Sequence, residues 1–380
     1  MLDWLACAVG GSSEPAARAA AGAGDGLLDR VAAVATAGHV LDFDDTYLPG
    51  IAHLSAPTAP AALVLGAELG VSVADALVAY AAGFEATGAM SRAAHPALYD
   101  GGWHPTAVCG TLGAAITSSR LLELDREAER SAAGLALLRA GGLRSAFGSA
   151  GKSLQVGMAA AAGVAAARIA AAGAVLDLEQ VVTGPAGFEA GFGAAFELDR
   201  EPAAIDENWI KAYPCCLQTH GAIEAALALR EAQAPGGASE FVGGTAKSEV
   251  TVHPVSLQAA PVIEPADGLQ AKFSIPYLTA LALLRGAPRV DSFDSVDEAV
   301  AQLGANVTVK ADASLLESEA HLAVDGGEPF RIEAALGSPQ RPMDDAALAR
   351  KRAGLAGERL EGLLDSHERP VAEVLAALAG

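Results

Sequence analysis

The stretch HVLDFDDTYLPGIAHLSAP, His39 to Pro57, decides how this chain is read. It packs Asp42, Asp44, Asp45 and Thr46 into five residues, and His53 and Ser55 follow closely. The segments on either side are alanine-rich. Carboxylates are seldom buried unless they are paired or liganded. Three of them side by side in so apolar a chain mark either a solvated turn between two helices or an active site. The rest of the sequence has to choose between the two.

Working outward, residues 1–38 read as helix, a loop around residues 10–13, then helix. From Thr58 the pattern is strongly helical up to a stop at Gly70. A second helix spans Val73 to Met90 with an acidic first turn at Asp75. Residues 92–102 read as a loop around Pro96. Next comes Gly102-Trp103-His104-Pro105-Thr106, which opens a helix running to Leu122. A histidine at a helix start lies where N–H groups and the dipole favour an anion and disfavour protonation, leaving a neutral imidazole. After a helix over 126–141, SAFGSAGKSLQVG places Lys152 at the head of an alanine-rich helix, where its charge is unfavourable on dipole grounds. That placement points to another use. GSAGKS resembles part of a phosphate-binding loop, but the glycine spacing is wrong and no strand precedes it. The run from Val156 to Leu176, with Arg168 inside, is too weakly hydrophobic for a membrane span and reads as a buried helix.

Lys211-Ala-Tyr-Pro-Cys-Cys216 and His220 follow, then a helix to Glu231 and a Pro/Gly loop over 233–244. Period-two strands are expected at SEVTVH (248–253) and NVTVK (306–310). Strands over 319–324 and 329–335 flank the hairpin signal Asp325-Gly326-Gly327. A helix behind Pro276 lies between. Beyond Met343 the chain reads helical to its end. The expected fold is mainly α: a helical domain over 1–211, a smaller α+β unit over 212–340, and C-terminal helices over 341–380 rejoining the first domain.

At 380 residues two domains are the prior. The formal net charge of −21 is spread along the chain, which argues against nucleic acid or an anionic membrane surface as partner. An anionic substrate would need local cations, and of the 25 basic residues only six are lysine. Lys152 and Lys211 stand out among them because their neighbourhoods are apolar and glycine-rich. Cys7, Cys109, Cys215 and Cys216 show no zinc-ligand spacing, and an adjacent pair is a poor disulfide. The expectation is a reduced, cytoplasmic protein. The start, MLDWLACAVGG, lacks a basic region and reads as a short buried helix rather than a signal peptide. DFDDT also satisfies D-x-D-x-T, the motif of phosphatases with an aspartyl nucleophile and magnesium, which would make Asp42 the nucleophile. The upstream stretch reads helical where that motif needs a strand. His39 and His53 lack helical spacing to the aspartates, so no metal site is expected.

Taken in order, LDFDDT, AHLSAP, GWHPT, GKSLQVG, KAYP, AKFSIPY and GSPQRPM resemble the MmgE/PrpD family over nearly the whole chain. That family contains 2-methylcitrate dehydratases, cis-aconitate decarboxylases and an iminodisuccinate epimerase. The resemblance implies a large helical domain with a smaller α+β lid, a homodimer, no metal or organic cofactor, and a small di- or tricarboxylate substrate. It places Asp42, Thr46, His53 and His104 in the pocket. It makes Lys152 and Lys211 the carboxylate-binding cations and brings in Tyr277 of KFSIPY. There are departures. Cys216 stands where the decarboxylases carry a His in K-x-x-P-x-H. Gln155 stands where G-K-x-L-H has His, and Ala89 where Arg is usual.

The family's reactions all break a bond next to a carboxylate. Lysines that neutralise that carboxylate stabilise the charge developing beside it. On this reading His104 is the general base and Asp42 orients an imidazole or moves the second proton. In an epimerase, Cys216 is a second base as a thiolate. The leading expectation is 2-methylcitrate-like dehydration. Epimerisation of an amino-dicarboxylate, decarboxylation of cis-aconitate, a non-catalytic carboxylate-binding paralogue and the magnesium phosphatase remain as alternatives.

Overall fold

A computed structural model describes residues 1–199, 201–232 and 247–378. The loop expected over 233–244 lies outside them. The chain divides into two compact units. One comprises residues 1–145, 151–210 and 344–380; the other comprises 146–150 and 211–343.

The first unit is helical: α1 (Leu2–Gly11), α2 (Pro15–Ala21), α3 (Leu27–His39), α4 (Ser55–Leu69), α5 (Val73–Ala94), α6 (Ala97–Asp100), α7 (Pro105–Leu121), α8 (Arg126–Leu137), α9 (Gly151–Ala171), α10 (Leu178–Thr183) and α11 (Phe188–Phe192). Small residues let these helices approach closely. At Gly83 of α5 a methyl group would strike Thr117 Oγ1 and the Gly113 carbonyl; at Gly113 of α7 it would strike Thr87 Oγ1. At Gly157 of α9 it would meet Thr36 and the Ala32 carbonyl of α3. The last contact holds α9 close against α3. Trp4, Leu5, Tyr47, Leu54, Leu63 and Phe84 form one fully or nearly fully buried core, and Val371 and Val374 from the end of the chain pack into it. Each such side chain contributes roughly 1.5–3 kcal/mol on burial. The unit also carries one short antiparallel pair, β1 (Thr46–Tyr47) with β2 (Asn208–Trp209).

The second unit is α+β. Its sheet has the order β4-β3-β5-β6, with β3 (Ser248–Val252), β4 (Val307–Ala311), β5 (Ala320–Val324) and β6 (Phe330–Ile332). β3 and β4 are parallel with Ser248 opposite Val307; β3–β5 and β5–β6 are antiparallel. β3 alternates buried and half-buried residues, as a strand covered on one face should. α12 (His220–Ala232) packs on β5 and β6, and the helix Ile275–Arg285 packs on β4 and α12. The turn into β6 has positive φ at Asp325 (48°) and Gly326 (74°), the conformation the Asp-Gly signal specifies.

Three local readings change. Residues 92–102 are not a plain loop: α5 runs on to Ala94 and α6 follows. The cause is Arg92, whose guanidinium donates to the carbonyls of Asp199, Glu201 and Pro202 and pairs with Glu207 at 3.3 Å, tying down the end of α5. Beyond Met343, helices cover only Asp345–Ala356 and Val371–Ala376. Gly357 and Gly362 take positive φ between them and break a run that its Leu/Ala content made look continuous. The N-terminal strand of the expected hairpin starts at Ala320 and its partner ends at Ile332, shorter than the pattern implied. The helix Gly151–Ala171 is long and apolar enough to cross a membrane, with mean hydropathy 1.4, but half of its apolar stretch is buried inside the protein.

Candidate active site

The acidic stretch begins where α3 ends. Asp42 takes φ 53°, in the left-handed region, and its N–H donates to the His39 carbonyl at 3.1 Å. This turn sends the following carboxylates back beneath the end of α3. Asp44, fully buried, accepts from His39 Nδ1 at 2.9 Å and faces His53 Nδ1 at 3.2 Å. The His53 main chain is pinned by its N–H donating to Thr106 Oγ1 in the first turn of α7, at 3.0 Å. Thr46 Oγ1 lies 3.4 Å from His53 Nδ1. Across from them, in the first turn of α9, Lys152 Nζ donates to Asp42 Oδ1 at 2.8 Å and lies 3.0 Å from His39 Nε2. His53 Nε2 is 3.6 Å from the same Asp42 oxygen.

The donor logic fixes the protons. An ammonium only donates, so His39 Nε2 is an acceptor and Nδ1–H points at Asp44. Burial pushes the His39 pKa down, against the pull of Asp44, and the ring is held neutral. Burial acts to raise Asp44, but the His39 and His53 rings and their hydrogen bonds outweigh it and hold the carboxyl well below the usual range. His53 sees an ionised Asp44 at Nδ1, closer than the neutral Thr46 hydroxyl. A charge-assisted bond wins there, which leaves the basic lone pair on Nε2. His104, the N-cap of α7, stacks 6.1 Å from His39 and receives Gln155 Nε2 at 2.6 Å on Nδ1. Burial first, then Lys152, pushes its pKa well below the ordinary value.

Asp45 belongs to a neighbouring buried network. Its Oδ2 accepts from the Ser55 N–H and from Asn208 Nδ2, and Ser55 Oγ meets the Tyr80 hydroxyl at 2.7 Å. Burial and then Asp44 push the Asp45 pKa up to about 6.

Thus Asp42, Thr46, His53, His104 and Lys152 are gathered in the first unit. Lys211, Cys216 and Tyr277 belong to the second. There, Lys211 Nζ donates to the Cys215 carbonyl at 2.9 Å. Cys216 donates its N–H to the Lys272 carbonyl at 3.0 Å and its thiol to the Ala259 carbonyl at 3.8 Å. The Tyr277 hydroxyl accepts from Asp297 N–H at 3.0 Å, a task at the start of the helix Glu298–Gly304. All four cysteines are buried thiols.

Sequence reasoning gave no role to His39, Asp44 or Gln155. The His39–Asp44 pair spans five residues across a left-handed turn, a separation no helical or strand period marks. His39, Asp44 and His53 also bring one potential metal-ligand atom each within 4.8 Å of one another. The Lys152 ammonium at His39 puts a fixed positive charge beside them, which disfavours a divalent cation there.

Family models match this chain in two blocks, the MmgE/PrpD N-terminal domain over residues 27–201 and the MmgE/PrpD C-terminal domain over residues 213–376. The chain belongs to the MmgE/PrpD family. Among curated proteins it is similar to the cis-aconitate decarboxylase of Homo sapiens, 32% identical over 211 residues, which are 51% of this chain and 42% of that protein. The Mus musculus cis-aconitate decarboxylase is 29% identical over 270 residues, covering 68% and 54%. That of Aspergillus terreus is 26% identical over 286 residues, covering 65% and 56%. The chain spans about half the length of these relatives.

Proposed function

We propose that this protein is a cofactor-independent lyase acting on a small di- or tricarboxylate by removing a proton next to a carboxylate. The observation that carries the reading is the paired arrangement at Asp44 and Lys152. An ionised carboxylate orients His53 so that Nε2 can accept a proton, and an ammonium lies beside it on Asp42. In this reading His53 is the base, Lys152 neutralises the substrate carboxylate as negative charge builds on it, and Asp42 positions Lys152 and His53. That moves the base from His104 to His53. Lys211 is the second carboxylate-binding cation by family position. Cytoplasmic location and a homodimer are part of the proposal.

Dehydration of a 2-methylcitrate-like hydroxy acid is the leading reaction. His53 takes the α-proton, a C=C bond forms, and the hydroxyl leaves as water with a proton from the site. Decarboxylation is the second reading, because the relatives above carry that name. Cys216, standing where the family's decarboxylases have His, weighs against it. NMR of the protein with 2-methylcitrate, cis-aconitate and an amino-dicarboxylate in deuterated water tests this. Alkene signals from 2-methylcitrate support dehydration; loss of carbon dioxide from cis-aconitate supports decarboxylation. Deuterium exchange without net loss indicates epimerisation. No change with any of them overturns the enzymatic reading.

A further inference from the structure

We infer that Gln155 is a positioning residue that locks His104 as its Nε2–H tautomer, so that His104 meets the substrate as a hydrogen-bond donor and not as a base. The inference deepens the proposed function and rests on it for the word substrate; the tautomer itself rests on geometry alone.

Three contacts determine which way the Gln155 amide faces. Its Oε1 accepts from the Leu143 N–H at 2.9 Å. Its Nε2 donates to the Leu143 carbonyl at 3.2 Å and lies 2.6 Å from His104 Nδ1. Turning the amide over would set NH2 against an N–H and oxygen against a carbonyl, two repulsive contacts in place of two bonds. The orientation is therefore settled by the backbone of Leu143, and His104 Nδ1 must present its lone pair. The frame around the amide is rigid. His104 N–H donates to the Gly142 carbonyl at 3.0 Å, and Trp103 pairs with Leu143 as an isolated bridge. Gly142 takes φ 132°, and a β-carbon there would press on Ala107 and come within 3.3 Å of Gln155 Oε1. Glycine is thus needed for Gln155 to reach Leu143.

Lys152, His39, His53 and Asp42 are charged or titratable groups that act on the ring, and burial together with the Lys152 charge keeps it neutral. A neutral imidazole whose Nδ1 accepts carries its proton on Nε2. Such a group donates to an oxygen on which charge develops, the role of a preorganised electrophile. It cannot at the same time take a proton at Nε2. The division of labour follows: His53, oriented by a carboxylate, accepts; His104, oriented by an amide, donates. The sequence pattern singled out position 155 because Gln stands there in place of His, and a His N–H can supply the same donor to His104.

The test is side-chain 15N NMR of the histidine-labelled full chain, with the His104 resonances assigned by their loss in His104→Gln. The wild type is expected to show the Nε2–H pattern for His104. Gln155→Glu replaces the donor by an acceptor and is expected to convert His104 to the Nδ1–H pattern. It should also lower kcat by about 100-fold or more with KM little changed. Gln155→His is expected to keep the Nε2–H pattern and to lose less than about tenfold in kcat, well short of the loss in the glutamate variant. An Nδ1–H pattern in the wild type, or an Nε2–H pattern surviving in folded Gln155→Glu, overturns the inference. If the glutamate variant does not fold, the wild-type and Gln155→His spectra still decide it. A wild type inert toward every polycarboxylate would remove the proposed function while leaving the tautomer readable.

Discussion

Replacing Asp44 by asparagine should abolish turnover by inverting one particular histidine. Asp44 accepts from His39 Nδ1 at 2.9 Å and faces His53 Nδ1 at 3.2 Å, and as a carboxylate it can serve both. An amide offers one oxygen and one NH2; with the NH2 in the place of Oδ2, the oxygen both rings share, only the Oδ1 place, 3.1 Å from His39 Nδ1, still accepts, and one ring must give up its Nδ1 proton. His39 cannot: with its proton on Nε2 it would confront the Lys152 ammonium 3.0 Å away, donor against donor. His39 therefore keeps the amide oxygen, and His53 moves its proton to Nε2, towards Asp42. The lone pair proposed as the base disappears. The same inversion in a Ser-His-Asp triad costs about 10⁴ in kcat, and a loss of that order is expected here. The variant should stay folded, because the site exchanges two charge-assisted bonds for neutral ones and loses about 2–3 kcal/mol. Turnover on whichever polycarboxylate the wild type consumes gives the first number, urea unfolding the second, and histidine 15N spectra show which ring has switched. A folded Asp44→Asn protein with kcat within tenfold of wild type would refute this account of His53.

Lys152→Met should cost about 3–5 kcal/mol in urea, since it strands the buried Asp42 charge, and adding Asp42→Asn should recover much of that; equal losses in the single and double variants would count against the pairing. Stability should fall on acidification. His39 and His104 have folded pKa values below the unfolded value of about 6.5, so below that pH the unfolded chain binds more protons, with a slope of at most about 2.7 kcal/mol per pH unit for the two together. Asp45, raised to about 6, acts oppositely below that pH and reduces the slope to about 1.4 kcal/mol per unit. A Tm that stays flat or rises as the pH goes from 7 to 5.5 would contradict the sign given to the two histidines. Gly113→Val should destabilise by about 1–3 kcal/mol or more through the clash with Thr87, as read by Tm, while an unchanged Tm would mean that α5 and α7 are looser than described.

Much of the architecture could be read from pattern. Period-two runs gave the strands of the second unit, and Asp-Gly-Gly gave the turn into β6. Pro after His104 gave the start of α7. What pattern misses is set by tertiary partners or by backbone reversal. Arg92 extends α5 because five residues distant in sequence, Tyr47 among them, receive its guanidinium. Gly357 and Gly362 end a helix inside a run whose composition says helix. In the candidate site, Asp42, His53, His104 and Lys152 sit in recognisable motifs. Asp44 lies in the same acidic triplet as Asp42, yet only the direction of the turn tells which carboxylate faces which ring. Gln155 could be noticed as unusual, but its consequence depends on which end of its amide meets Leu143.

The turn at Asp42 carries a further consequence. A side chain other than glycine at φ 53° crowds its β-carbon against the backbone, at a cost of about 1–2 kcal/mol. Glycine would relieve that strain but strand the buried Lys152 ammonium, a loss of about 3–5 kcal/mol that outweighs the gain. Selection for heat resistance and selection for turnover therefore pull this position the same way, towards the carboxylate. A relative found with glycine there should have lost the lysine as well, and with it the chemistry.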